Sequence, residues 1–230
     1  MVWKSLQLRP AVSSFAKGLA RNDNSIYIRT LASSARNEKS PSLLVTSIGN
    51  PEPRYSKTRH NVGHWIIDQI VRSYPDMFRE SEINSNGRLG LFWESTSNSP
   101  NITLFKSTNS YMNLQGSPVS KVWNQYRKSE QNRGNVPFLV VIHDELQMPL
   151  GKIQLRKQGT SARGHNGLRS IDSAIGKTYT KISIGIGKPV GQDVAEYVLS
   201  PFEKNEKDIL TMESFPKAYS CIIQLLKEAQ

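Results

Sequence analysis

Apolar and polar positions follow two different periods along this chain. "LLVTSIG" (43–49), "NITLFKS" (101–107), "FLVVIHD" (138–144) and "KISIGIG" (181–187) are short, rich in β-branched residues and bounded by Gly, Pro, Asn or Asp, the pattern of buried strands. Between them, "HWIIDQIVRSY" (64–74), "SPVSKVWNQYRK" (117–128) and "NGLRSIDSAIG" (166–176) place apolar residues three and four apart, the helical period. Strand, helix and strand in succession predict an α/β fold, a single domain with a largely parallel central sheet flanked by helices. "KIQLRK" (152–157) alternates after a Pro/Gly turn and reads as a shorter, antiparallel strand. The end, "EKNEKDILTMESFPKAYSCIIQLLKEAQ", reads as one or two helices interrupted near Pro216, and the polar stretches 95–100 and 128–136 read as surface loops.

Composition narrows this picture. A chain of 230 residues with 37% hydrophobic positions can close one core and carry a tail. A lone cysteine, Cys221, rules out an internal disulfide framework and a multi-thiolate metal site, and its apolar helical setting marks it as core. No apolar run approaches the roughly 18 residues of a spanning helix, so no membrane partner is expected. Residues 1–40 hold seven Lys/Arg against Asp23 and Glu38, a net +5 out of +11, and are rich in Ser and Ala. That composition predicts a basic leader over 1–40, of the mitochondrial or plastid transit type, before a folded domain over 41–230. The remaining +6 permits a polyanionic partner such as RNA, although a solvated basic face has the same composition.

Ligands of open α/β sheets bind outside the carboxyl ends of the strands. The residues there are Asn50, Asn113 in "STNSYMNLQG", Asp144, and Asn166 behind the loop "GTSARGHNGL". The loop "GNPEPRYSKTRHNVGH" (49–64) adds His60, whose ordinary pKa lets it take a proton near neutral pH. Asp144 can orient one ring nitrogen so that the other faces a water. The asparagines supply neutral donors and acceptors for a carbonyl, an oxyanion or a ribose. Taken singly, each has an ordinary reading: a turn-forming Asn, a capping Asp, an exposed loop His. No G-x-S-x-G elbow is present, so direct attack by water is preferred to a covalent intermediate. "IGKT" (175–178) is no P-loop, since Ile171 stands where the first glycine is needed. Of the four histidines, 60, 64, 143 and 165, none forms an i, i+4 pair joined by a carboxylate, and no metal is expected.

"GNPEPRYSKTRHNVG", "SYMNLQG", "HDEL", "GHNGLRSI" and "GIGKP" stand in the order and spacing of bacterial-type peptidyl-tRNA hydrolases, a resemblance covering roughly 43–202. It implies a monomeric α/β fold with a mixed, mostly parallel central sheet flanked by helices, and cofactor-free, metal-independent hydrolysis of the ester joining a peptide to the 3′ end of tRNA. With the leader, the chain resembles a eukaryotic mitochondrial member. Carried over, His60 is the general base and Asp144 its orienting partner. Asn50, Tyr55, Asn113 and Asn166 bind substrate, and Arg156, Lys157, Arg163 and Lys181 are the candidate contacts to tRNA phosphate. Glu52 departs from the usual glycine of "GNPG", Thr160 from a second glycine, and Ser183 from a position that is basic in some members. Two rivals remain: an inactive relative that binds RNA or protein, as organellar splicing partners of this fold do, and an esterase for small esters.

Overall fold

The computed structural model describes residues 39–81, 89–96, 100–189, 191 and 193–229. The leader expected over 1–40 lies, but for its last two residues, outside the described residues. Within the described residues seven strands form one sheet: β1 (Pro41–Ser47), β2 (Phe78–Glu80), β3 (Leu91–Ser95), β4 (Ile102–Lys106), β5 (Val136–Glu145), β6 (Ile153–Arg156) and β7 (Thr180–Gly185). Their order is β2-β3-β4-β1-β5-β7-β6; β4, β1, β5 and β7 run parallel, while β2, β3 and β6 pair antiparallel at the edges. Among the described residues six α-helices accompany them: α1 (Val62–Ser73), α2 (Gly116–Asn132), α3 (Asn166–Ile175), α4 (Val194–Leu199), α5 (Lys204–Ile209) and α6 (Phe215–Glu228). The mixed, mostly parallel sheet expected from the sequence is the observed one, including the antiparallel β6.

Alternation along the central strands builds two cores. Leu43 and Val45 of β1, with Val140 and Ile142 of β5, meet Val62, Ile66 and Ile70 of α1 and Ile222 of α6. Leu44, Leu139 and Val141 point to the other face, against Val119 and Trp123 of α2 and Leu168 and Ile171 of α3. Successive side chains leave a strand on opposite faces, so strands covered on both sides read as continuous apolar runs. Gly63, in the first turn of α1, lets that helix sit directly on β5: a Cβ there would lie 2.7 Å from the Ile142 carbonyl oxygen.

Three features differ from expectation. β2 and β3 extend the sheet through a segment that gave no strand signal, because β2 is a three-residue edge strand and β3 its mostly half-exposed neighbour, and the two carry Arg79, Glu80 and Glu94. α4 adds six residues that were not predicted. The C-terminal interruption expected near Pro216 is not a break: a π-helical turn, Leu210–Ser214, joins α5 to α6 in one continuous run, and Pro216, which has no N–H to give, follows just after that turn. Among the described residues no helix is long and apolar enough to cross a membrane.

From β1 the chain moves to one side, toward β4; from β5 it moves to the other, toward β7. The crevice between the carboxyl ends of β1 and β5 is therefore the topological switch point, where open α/β sheets bind ligands.

Candidate active site

Asp144 stands at that crevice and is 3% exposed. His60, on the 3-10 turn Arg59–Asn61 that leads into α1, turns Nδ1 to both carboxylate oxygens at 2.9 Å. A second imidazole, which the sequence reading did not assign, arrives from the other side: His165 Nε2 lies 2.9 Å from Asp144 Oδ1. Burial opposes charge on both sides of the pair. The Asp144 charge and hydrogen bond nevertheless raise the His60 pKa, and the two imidazoles hold the Asp144 carboxyl well below the usual carboxylate range. His60 and Asp144 line a cleft of about 720 Å³ together with Asn50, Asn113, His165 and Asn166.

The two ring orientations differ. His60 uses Nδ1 on Asp144, and Nε2 has no hydrogen-bond partner among the described residues. His165 is the N-cap of α3; its Nδ1 accepts the Leu168 N–H at 3.3 Å, which leaves Nε2 to carry the proton donated to Asp144. The three ligand atoms of His60, Asp144 and His165 lie within 4.8 Å of one another, a grouping the sequence spacing did not reveal. A metal ion would need a lone pair on His165 Nε2, which means moving its proton to Nδ1 against the Leu168 N–H. The donor set is thereby committed to hydrogen bonds.

The loop 49–61 is fixed from below. The Asn61 side chain, fully buried, accepts the Asn50 N–H at 2.8 Å and donates to the Asn50 carbonyl at 2.9 Å. Asn50 Oδ1 accepts the Met112 N–H at 2.9 Å, so its NH2 is the end left for the cleft. Glu52, the departure from glycine, places its carboxylate 2.7 Å from the buried Lys106 Nζ, which also holds Asp68 at 2.7 Å. Arg59, 6% exposed, makes a bidentate pair with Glu206 at 2.7 Å and lies over the Tyr197 and Phe202 rings. That pair ties the base-bearing turn to α5 and, through Tyr197, to α4, whose Val194, Ala195, Val198 and Leu199 form an apolar wall of the cleft.

His64 and His143 take no part in the cleft. Burial lowers both to about 3, so they are neutral structural groups: His64 between Ser47 and the Ser107 carbonyl, His143 between the Asp144 carbonyl and Ser183. Ser183, at the position that is basic in some relatives, is fully buried and spends its hydroxyl on His143. Tyr55 is not among the cleft-lining residues; it packs edge-on against Tyr111, ring centroids 6.3 Å apart.

The expected phosphate contacts divide into two pairs. Arg156 and Lys181 face each other in the β6–β7 register and are buried at 5% and 0% exposure beneath the loop 157–165. Arg156 Nη2 donates to the Ser161 carbonyl, and Lys181 Nζ donates to the Thr160 carbonyl and lies 4.1 Å from the Tyr179 ring centroid. As placed, these two cations hold the loop and do not face solvent. Lys157 and Arg163 are exposed. Cys221 is half-buried against the core, less enclosed than its sequence setting suggested.

The profile of one protein family, peptidyl-tRNA hydrolase, matches residues 44–230. The chain belongs to that family. A Thermodesulfovibrio yellowstonii peptidyl-tRNA hydrolase is 40% identical over 188 residues, covering 81% of this chain and 93% of its own. The Saccharomyces cerevisiae peptidyl-tRNA hydrolase is 36% identical over 204 residues, covering 80% and 96%. The crystal structure of the Acinetobacter baumannii peptidyl-tRNA hydrolase superposes with a TM-score of 0.64 at 29% identity, covering 82% of this chain and 92% of that one. Membership makes the chain a hydrolase, and the fold expected of the family is the fold observed.

Proposed function

We propose that the chain releases peptides from peptidyl-tRNA by direct attack of a water that His60 activates. The observation that carries this reading is the paired orientation of His60: Nδ1 locked on the buried Asp144 carboxylate, Nε2 unpartnered on a residue lining the cleft. His60 takes a proton from water as the oxygen adds to the ester carbonyl carbon. Asp144 stabilises the imidazolium that forms. The Asn50 NH2, with the exposed side chains of Asn113 and Asn166, supplies neutral donors for the oxyanion and for the terminal nucleoside. Collapse of the intermediate breaks the carbon–oxygen bond to the ribose, and the imidazolium returns its proton to the leaving 3′ oxygen. No metal is needed, because the two imidazole N–H groups already occupy the carboxylate.

The exposed Lys157 and Arg163, not the buried Arg156 or Lys181, are the cations of that loop available to a tRNA phosphate. The protein acts as a monomer, and the basic, Ser-rich leader directs it to the mitochondrion. The deciding experiment is release of peptide from purified peptidyl-tRNA by the full chain, with and without chelator, beside His60→Ala. Turnover that survives chelator and is lost in the variant supports the reading. A folded protein that binds tRNA but releases no peptide would make the chain a binding member of the fold.

A further inference from the structure

The loop between β6 and α3 places Gly159 and Gly164 in the left-handed region, at φ 81° and 86°, and next to the second of them, at φ 46°, Arg163. Among the described residues it is the one non-glycine residue with a positive φ. A side chain with a Cβ is disfavoured there, and neither Asn nor Gly, which tolerate the region, is used. The fold gains little in return. The side chain is 42% exposed, its hydrogen bond to Gln154 Oε1 is long at 3.3 Å, and its guanidinium lies 3.7 Å from Glu145 Oε2.

Position explains what stability does not. The active-site cleft adjoins a shallow basic hollow of about 490 Å³ that includes Lys157, Thr160 and Ser161, and Arg163 is the one residue shared by the two linings. Behind it, the buried Glu145 carboxylate lies 3.7 Å from both Arg156 and Arg163. One acid between two guanidiniums leaves a surplus positive charge at the junction, and Lys157 adds to it. A polyanion lying across the hollow with its end in the cleft must pass this side chain.

We infer that Arg163 is a substrate-binding residue that holds a backbone phosphate of the single-stranded 3′ end where that strand enters the cleft, and that its left-handed backbone is kept for this contact. The inference rests on the hydrolase reading for its substrate. The strain and the shared lining are independent of it.

Arg163→Gly relaxes the backbone and removes the guanidinium, so stability and binding should move in opposite directions. The melting temperature should rise by about 2–4 °C. KM for peptidyl-tRNA should rise about tenfold, the worth of one charge-assisted contact, with kcat changed much less. The salt dependence of binding should lose about 0.7 of a unit in its logarithmic slope, one phosphate on a single strand. Arg163→Lys keeps the charge and should recover part of the KM without the gain in melting temperature. The same slope is read by titrating an RNA oligonucleotide with the tRNA 3′ sequence, so the contact is tested even if the wild type releases no peptide. A glycine variant with wild-type KM and slope, or one that melts lower, would overturn the inference and make Arg163 a residue of loop structure.

Discussion

Two loops carry an imidazole to Asp144. Loop 49–61 brings His60 on a 3-10 turn, and loop 157–165 brings His165 as the first cap of α3. Both rings sit 2.9 Å from the same carboxylate, yet one keeps a free nitrogen and the other has none. The difference lies in which nitrogen faces the acid and what the remaining one meets. Residue type and distance would assign the two histidines one role; the hydrogen bond on the far side of each ring separates the base from the group that positions its partner.

Replacing the base breaks the comparison outright. His60→Ala should lower kcat about a thousandfold with KM for peptidyl-tRNA nearly unchanged, since proton transfer is lost and the amides and cations remain. Single-turnover rates beside a filter-binding titration separate the two effects. Retention of a tenth of the wild-type rate would return His60 to the status of a loop residue.

Asp144→Asn removes the charge but keeps one oxygen, and Oδ1 alone can accept from both imidazoles. The loss should therefore be smaller, about a hundredfold, and the pH profile should move. His60 must be neutral to act, so activity falls as pH drops through its raised pKa. Without the Asp144 charge that limb should shift to lower pH. A profile that does not move would mean that Asp144 does not set the protonation of His60.

His165→Asn sharpens the comparison from the other side. Asparagine is a strong N-cap, so α3 keeps its start while Asp144 loses one of its two N–H donors. We expect kcat to fall about tenfold, the acid limb to move, and the melting temperature to stay within 2 °C or so, the range of a surface substitution. His165→Ala, which loses cap and donor together, should be less stable by about 1 kcal/mol. Equal kinetics for wild type and His165→Asn would leave the second imidazole as a helix cap only.

The loops also differ in how far the sequence discloses them. The central strands are legible because burial on both faces makes continuous apolar runs, and their ends point to Asn50, Asp144 and Asn166. β2 and β3 are not, because short, charged and partly exposed strands at the margin of the sheet have no such run. Inspecting strand ends one residue at a time finds His60 and Asp144 but passes over His165, whose partner is 21 positions away and whose only local signal is a histidine before a helix. Arg156 and Lys181 read as surface cations until the β6–β7 register sets them opposite each other under a loop. The anchor of loop 49–61, Glu206, is 147 residues from Arg59 and invisible to any local pattern.

That anchor gives the smallest and most discriminating effect. Glu206 holds Arg59 with two bonds of 2.7 Å, and the guanidinium keeps Glu206 ionised against the opposing pull of burial. Glu206→Gln leaves Arg59 largely buried with half its partner, which should lower stability by about 1–3 kcal/mol. Because Arg59 adjoins His60 while α3 and His165 are held elsewhere, kcat should fall a few-fold with no shift in the acid limb, unlike the Asp144 and His165 variants. A shift in that limb would mean that the strap through α5 acts on the charge of the His60–Asp144 pair, whereas an unshifted limb with reduced kcat assigns it to the placement of the ring.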